Sequence, residues 1–363
     1  MQVGDDLHLT YCTNIHPAVG WEAVQDSLRA HGPALKARLS PDGPFGIGLR
    51  LSGAESAELL EGDRLARFRA WLDAEGLYVF TINGFPHGTF HGQRVKTDVH
   101  APDWRSQERV DYTLRLAEIL DALLPDGQHG TISTTPLSYG AWIEGDDAGW
   151  EQCTANVVRV AGELGGTRIA LALEPEADGA LADVDDLIRW WDDRFDGDHL
   201  TVCFDACHSA VAYEDPAEAL DARDAAGIRI GKVQLSAALR LAPSARGELQ
   251  RFADPVYLHQ VTQRNADGTL RSWPDLPEAL AANADSGEEW RVHFHVPIFL
   301  ERYGELDSTQ DHLRRTIELV RERGSSTQLE IETYTWDVLP ADLKASSVDS
   351  IAREYEWVLD VLG

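Results

Sequence analysis

Two apolar runs, each closed by a carboxylate and separated by one helix-length stretch, constrain the fold of this chain more than any other feature. Arg168–Leu173 is almost wholly apolar and is followed by Glu174, Pro175 and Glu176. Leu200–Phe204 is closed by Asp205, with His208 three residues on. Between them, Val184–Trp191 carries its apolar residues at helical spacing. Strand, helix and strand of these lengths read as a βαβ unit with both strands buried and parallel. In parallel α/β folds the chemistry sits at the carboxyl ends of the strands, where Glu174 and Asp205 stand.

The same alternation runs through the rest of the chain. Strands are expected at His8–Asn14, Pro44–Ser52, Leu77–Asn83, Gly130–Pro136, Ile228–Ser236 and Gln328–Tyr334, and helices over 21–39, 54–75, 107–124, 150–164, 215–226 and 307–323. Eight strands alternating with helices predict a single α/β domain over 1–363, a (β/α)8 TIM barrel; an open doubly wound sheet is the alternative. Gly84–Lys96 is too glycine-rich for a core element and too aromatic for a bare linker. Residues 243–305 exceed the barrel's count. They hold two strand-like runs, Val256–Thr262 and Trp290–Pro297, a turn at Asn265–Gly268 and a short helix near 275–284. They read as an insertion after strand seven, placed over the catalytic face, where long βα loops lie.

Composition narrows the setting. No run of about 18 apolar residues occurs, so a membrane span is not expected. The N-terminus lacks the basic and apolar regions of a signal peptide. Four scattered cysteines (Cys12, Cys153, Cys203, Cys207) read as buried thiols of a cytoplasmic protein, the alternative being a zinc site at Cys203 and Cys207. A net charge of −29 argues against nucleic acid as a partner. Only four lysines occur, and an acidic, lysine-poor surface is what adaptation to high salt would produce.

Glu174, Asp205 and Glu332 each close a barrel strand. Three carboxylates aimed at one axis repel unless a cation neutralises them, so they are candidate metal ligands. Oxygen-rich sites suit Mn²⁺ or Mg²⁺, and added imidazole admits Zn²⁺. His208, three residues after Asp205, is a candidate ligand or proton carrier. Glu330 and Glu332 share a strand face, as do His293 and His295 by the same alternation. Glu332, next to the strand end, is the preferred ligand. Tyr11, Asn83, His87, His91, His259 and His293 are candidate substrate contacts, a small-molecule metabolite being the expected partner.

Leu173-Glu174-Pro175, Phe204-Asp205 with His208, and Ile331-Glu332-Thr333 resemble the metal-site motifs of the xylose isomerase-like barrels, a group of sugar isomerases, epimerases and endonuclease IV-type repair enzymes. The resemblance implies a divalent metal held by Glu, Asp, His and Glu from strands five to eight. Glu174, Asp205 and Glu332 match three of these, and Gln234 falls where the family carries histidine. Either Gln234 supplies a weaker amide ligand, or His295, with His259 beside it, replaces the imidazole. Tyr11–Pro17, Ala34–Pro41, Phe45–Ser52, Tyr78–Pro86, Phe90–Gly92 and His293–Phe299 further resemble the metabolite-traffic protein EboE family over nearly the whole chain. That resemblance implies a cytoplasmic protein encoded beside a membrane prenyltransferase and linked to export or processing of secondary metabolites. Together these imply metal-dependent isomerisation or epimerisation, with Glu174, Glu332 and His208 as catalytic residues. A metabolite carrier with a degenerate metal site, a metal-dependent hydrolase and a DNA-repair enzyme are the alternatives, and the acidic charge argues against the last.

Overall fold

The computed structural model describes residues 1–4, 6–91, 95–191, 197–282, 287–335 and 347–363. In chain order its strands are β1 (His8–Tyr11), β2 (Phe45–Arg50), β3 (Leu77–Asn83), β4 (Gly130–Thr134), β5 (Ile169–Leu173), β6 (Leu200–Asp205), β7 (Ile230–Leu235), β8 (Leu239–Leu241), β9 (Val261–Asn265), β10 (Leu270–Trp273), β11 (Gly287–Val292), β12 (Arg302–Tyr303), β13 (Leu306–Ser308) and β14 (Gln328–Ile331). Eight of them form one parallel sheet in the order β1-β14-β7-β6-β5-β4-β3-β2. A parallel bridge between Cys12 and Gly48 brings its two edges together. This is the expected (β/α)8 barrel, with its eighth strand supplied by β14.

Helices cover the barrel because their apolar positions recur at three and four residues. Trp21, Val24, Leu28 and Leu35 are the buried face of Trp21–Leu39, and Val110, Leu116, Leu120 and Leu123 that of Gln107–Leu123. Helix starts are capped from the sequence. Ser52 and Glu55 form a reciprocal capping box, and Asp215 caps the helix that begins at Pro216.

The barrel interior is unusually polar. Thr81 and Thr131 share a 2.9 Å hydrogen bond, and Thr131 donates to Gln328 Oε1 at 2.7 Å. Lys232 Nζ donates to Thr81 Oγ1 at 3.2 Å and pairs with Glu330 Oε2 at 2.5 Å. Gly48 makes room for this pair, since a Cβ there would stand 1.9 Å from Glu330 Oε1.

The second sheet is antiparallel, in the order β10-β9-β11-β8-β13-β12. It spans Leu239–Ser308 and so begins earlier and ends later than the expected 243–305, because β13 pairs with β8 immediately after the barrel's seventh strand. Two expected strands shift. The run at Val256–Thr262 becomes strand only from Val261, and that at Trp290–Pro297 ends at Val292, so His293 and His295 lie beyond it. The expected helix near 275–284 is observed as Leu276–Ala281; residues 283 and 284 lie outside the described residues. The helix expected from 307 starts at Gln310, after β13.

Replacing Lys232 alone by methionine should cost about 3–5 kcal/mol in urea unfolding, because Glu330 would be left charged and unpaired in the barrel. The double variant Lys232→Met/Glu330→Leu should regain most of that loss. An equal loss in both would show that the two side chains do not act as a pair.

Candidate metal centre

Each carboxylate of the centre is placed by its own strand. Glu174 follows β5, and its N–H donates to Thr134 O at 3.0 Å. Asp205 ends β6 and caps the next helix, Ala206–Val211, its Oδ1 accepting from the His208 N–H at 2.9 Å and from Ser236 Oγ at 2.7 Å. That cap sets His208 one turn along, over the strand ends. Glu332 follows β14, and its Oε1 accepts from Asn14 Nδ2 and Asn83 Nδ2, both at 2.8 Å. Carboxylate oxygens of Glu174, Asp205 and Glu332 thereby come within 4.8 Å of one another.

Three imidazoles face these carboxylates, and their hydrogen bonds fix one shared tautomer. His208 Nδ1 meets Pro175 O at 2.9 Å, and His295 Nδ1 meets Glu332 O at 3.0 Å. Gln260 points its Nε2 at two acceptors, Glu176 Oε1 and Ala177 O, so its Oε1 must accept from His293 Nδ1, at 2.6 Å. Each ring therefore carries a proton on Nδ1, and the neutral rings of His293 and His295 leave a lone pair on Nε2. His293 Nε2 and His295 Nε2 stand 3.0 Å apart. Two lone pairs at that distance repel unless an electron-pair acceptor lies at them. Burial, with neighbouring imidazoles, pushes His293 well below its ordinary value, and burial takes His295 down to about 4. A proton is thus a poor candidate for that acceptor.

The carboxylates show the same unmet demand. Burial raises Glu174 and Glu176 to about 7, and burial together with Glu174 and Asp205 raises Glu332 well above the usual range. Burial works against charge on Asp205 and on His208 alike. His208 and His295 nevertheless hold Asp205 low, while Asp205, Glu176 and Glu174 hold His208 high. Glu174 Oε2, Glu176 Oε2, Asp205 Oδ2 and both amide atoms of Gln234 are buried without a hydrogen-bond partner. Buried orphan acceptors of this kind fit a divalent cation. The donor set offers two poles meeting at Asp205: oxygens of Glu174, Asp205 and Glu332, and nitrogens grouped as Asp205–His208–His295 and Glu176–His208–His293. Cys207 lies within the same 4.8 Å reach of His293 and His295, while Cys203 belongs to none of these groups.

The cavity over the centre is small, about 50 Å³, and is lined by members of both poles other than Asp205 and by Asn14, Asn83, Phe85, Phe90 and Tyr334. A cavity of about 650 Å³ opens at the opposite end, around the first residues of β4, β5, β7 and β14, the end of a barrel that serves stability rather than chemistry. Of the expected substrate contacts, Asn83 and His293 line the small cavity. His91 stands one layer back, bonded to Tyr257 OH and Asn14 O. Tyr11 gives its hydroxyl to His16, His87 packs on Tyr112, and His259 is held between Asp254 and His293 O, all outside the lining. Sequence reasoning passed over Glu176, Asn14, Gln260 and His100. Glu176 was legible, being a second carboxylate beside the β5 end. His100, buried with both ring nitrogens unpartnered and 3.6 Å from Glu176 Oε2, follows a loop with no strand to announce it.

The family described as Xylose isomerase-like TIM barrel matches residues 50–255. No curated protein matches. Among solved structures, a xylose isomerase-like TIM barrel protein from Mycobacterium smegmatis in complex with magnesium is 15% identical, with 100% of this chain and 98% of that one covered and a TM-score of 0.58. A D-tagatose 3-epimerase-like protein is 11% identical, covering 98% and 97%, at a TM-score of 0.56. A D-allulose 3-epimerase from Methylomonas sp. in complex with D-allulose is 12% identical, covering 99% and 99%, at 0.55. At these identities the likeness is one of fold.

The shifted groups set a pH dependence for the metal-free protein. Carboxylates raised from 4.5 to about 7 (Glu174, Glu176) and about 8 (Glu354) bind protons more tightly when folded, so stability falls as pH rises through 4.5 to 8. Histidines depressed below 6.5 act oppositely, but only below 6.5, where the unfolded chain takes up protons. From pH 6.5 to 8 His208, held high by its carboxylates, acts in the same sense as Glu174, Glu176 and Glu354, and the buried Met1 ammonium, pushed from 8.0 down to about 4, is a single opposing group. Thermal midpoints in chelator should therefore fall over that interval, and fall less with Mn²⁺ present. A rise with pH would contradict the burial argument.

Proposed function

The chain belongs to the xylose isomerase-like TIM barrel family, and from that premise we propose a divalent-cation-dependent isomerase or epimerase of a small polyhydroxylated metabolite, a metabolite-processing protein of the EboE kind. One observation carries the reading: buried oxygens of Glu174, Asp205 and Glu332 gathered within 4.8 Å at the barrel's strand ends. The absence of Arg and Lys from the described lining supports an uncharged ligand, and the density of acceptors supports one rich in hydroxyls. The four free, buried cysteines support a reduced, cytoplasmic setting.

Glu174, Asp205 and Glu332 would hold the cation, with His295 or Gln234 as the fourth ligand. A divalent ion supplies Lewis-acid polarisation of a carbonyl or hydroxyl pair. Glu174, whose Oε2 is buried without a hydrogen-bond partner beside the cavity, is placed to take and return a carbon-bound proton. His208, its Nδ1 fixed by Pro175 O, has Nε2 available for a hydroxyl proton. Phe85, Phe90 and Tyr334 exclude water from the reacting groups. The antiparallel insertion would roof the site, since His293, His295 and Gln260 come from it.

Protein purified without added metal should contain about one or more equivalents of a divalent ion per chain by elemental analysis, and Asp205→Asn should lose it. His295→Ala should lower metal content more than Gln234→Ala; the reverse order would make the amide the fourth ligand. A neutral ketose that binds the metal-loaded protein in D₂O should take deuterium at the carbon beside its carbonyl, and Glu174→Gln should stop this. Retention of every carbon-bound proton would favour a carrier.

A further inference from the structure

Glu330 and Glu332 lie on one face of the same chain segment, yet they are partnered in opposite ways. Glu330 is met by the ammonium of Lys232 at 2.5 Å, which cancels its charge. Glu332 is met at Oε1 by two neutral amides, Asn14 Nδ2 and Asn83 Nδ2, each at 2.8 Å. Neutral donors orient a carboxylate without neutralising it. We propose that Asn14 and Asn83 form an amide clamp that fixes Glu332 as a one-oxygen ligand, keeping Oε2 for a cation; this rests on the cation reading above.

The clamp is built at the ends of three separate strands. Asn14 sits in the short turn Thr13–Ile15 after β1, Asn83 is the last residue of β3, and Glu332 follows β14. All three side chains are buried, at 2%, 2% and 4% exposure. Asn83 is locked in orientation because its Oδ1 accepts the Phe85 N–H at 3.1 Å. Asn14 has no such second bond, and its Oδ1 is buried without a partner. An amide placed only to strengthen the fold would not leave its carbonyl unmet, at about 1–3 kcal/mol. Its one bond is to Glu332, so the arrangement favours holding that carboxylate over general stability.

The clamp also divides labour at the centre. With Oε1 accepting two N–H groups and Oε2 on the ion, Glu332 keeps at most one lone pair for a substrate proton, on the ligating oxygen itself. Glu174 Oε2 has no hydrogen-bond partner and lines the same cavity. The positioning residues Asn14 and Asn83 thereby make the two glutamates unequal, one a fixed ligand and the other a proton carrier.

Cobalt(II) titration of the full-length protein, followed by absorption and calorimetry, tests this with Asn14→Leu and with Asn83→Asp, which keeps the acceptor for Phe85 N–H. Each variant should bind Co²⁺ about 10–100-fold more weakly than wild type. Asn14→Leu should leave the metal-free thermal midpoint unchanged or raised, because it removes an unmet carbonyl. Affinities within about threefold of wild type in both variants would overturn the clamp, and lowered midpoints beside them would make the amides structural cross-links. No Co²⁺ binding by wild type would overturn the cation reading itself, and the clamp with it.

Discussion

Mutual repulsion among buried carboxylates is the constraint around which this barrel is arranged. Two unit charges 4.8 Å apart repel by about 3–4 kcal/mol at an effective dielectric of 20, and three such pairs arise among Glu174, Asp205 and Glu332. Each carboxylate meets the cost differently. Asp205 is held ionised by a helix-capping N–H, Ser236 and nearby imidazoles. Glu332 is pinned by amides. Burial shifts Glu174 to about 7, and Glu332, although pinned, is also pushed well above the usual range. The differences arise from which strand end each residue occupies and what the next few residues offer.

The barrel makes this crowding mechanically achievable. Parallel strands end at one rim, so residues as distant in sequence as Asn14 and Glu332 become neighbours without any long loop having to find them. The antiparallel sheet then adds what the rim lacks. It leaves β7, turns through β8 and returns by β13, so Gln260, His293 and His295 reach back to Glu176 and Glu332. Cys207 donates to Phe294 O at 3.3 Å and Arg291 to Ala210 O at 2.7 Å, tying that return to the helix after β6. His293 and His295 are positioned by the return of the second sheet, and His208 and the carboxylates by the barrel.

Strand alternation and strand-end carboxylates made the barrel and the trio Glu174, Asp205 and Glu332 legible in the sequence, because both follow from local periodicity. His293 and His295 were legible as a pair, but through alternation on a strand that in fact ends at Val292. Their proximity comes instead from separate anchors, Gln260 for one and Glu332 O for the other. Asn14, His100 and Gln260 had no local signal, since each matters through partners at least 33 residues away. The first and last strands of the second sheet, in chain order, carried no signal for a related reason. Strands of three residues such as β8 and β13 carry too little alternation to be seen without their pairing.

The contrast between Glu330 and Glu332 shows how far partner chemistry, rather than residue type, decides a role. Both are fully buried glutamates two residues apart, and alternation alone cannot separate them. Below the rim, Lys232, Thr81, Thr131 and Gln328 close a hydrogen-bonded column in which charge is cancelled, and Gly48 is vacated to seat it. At the rim, the described lining holds no Arg or Lys, and amides meet Glu332 in their place. A barrel interior that needed only stability would be filled with branched apolar side chains. One that cancels its charge in the layer beneath and leaves it uncancelled in the layer above is organised to present that charge to something that arrives from outside.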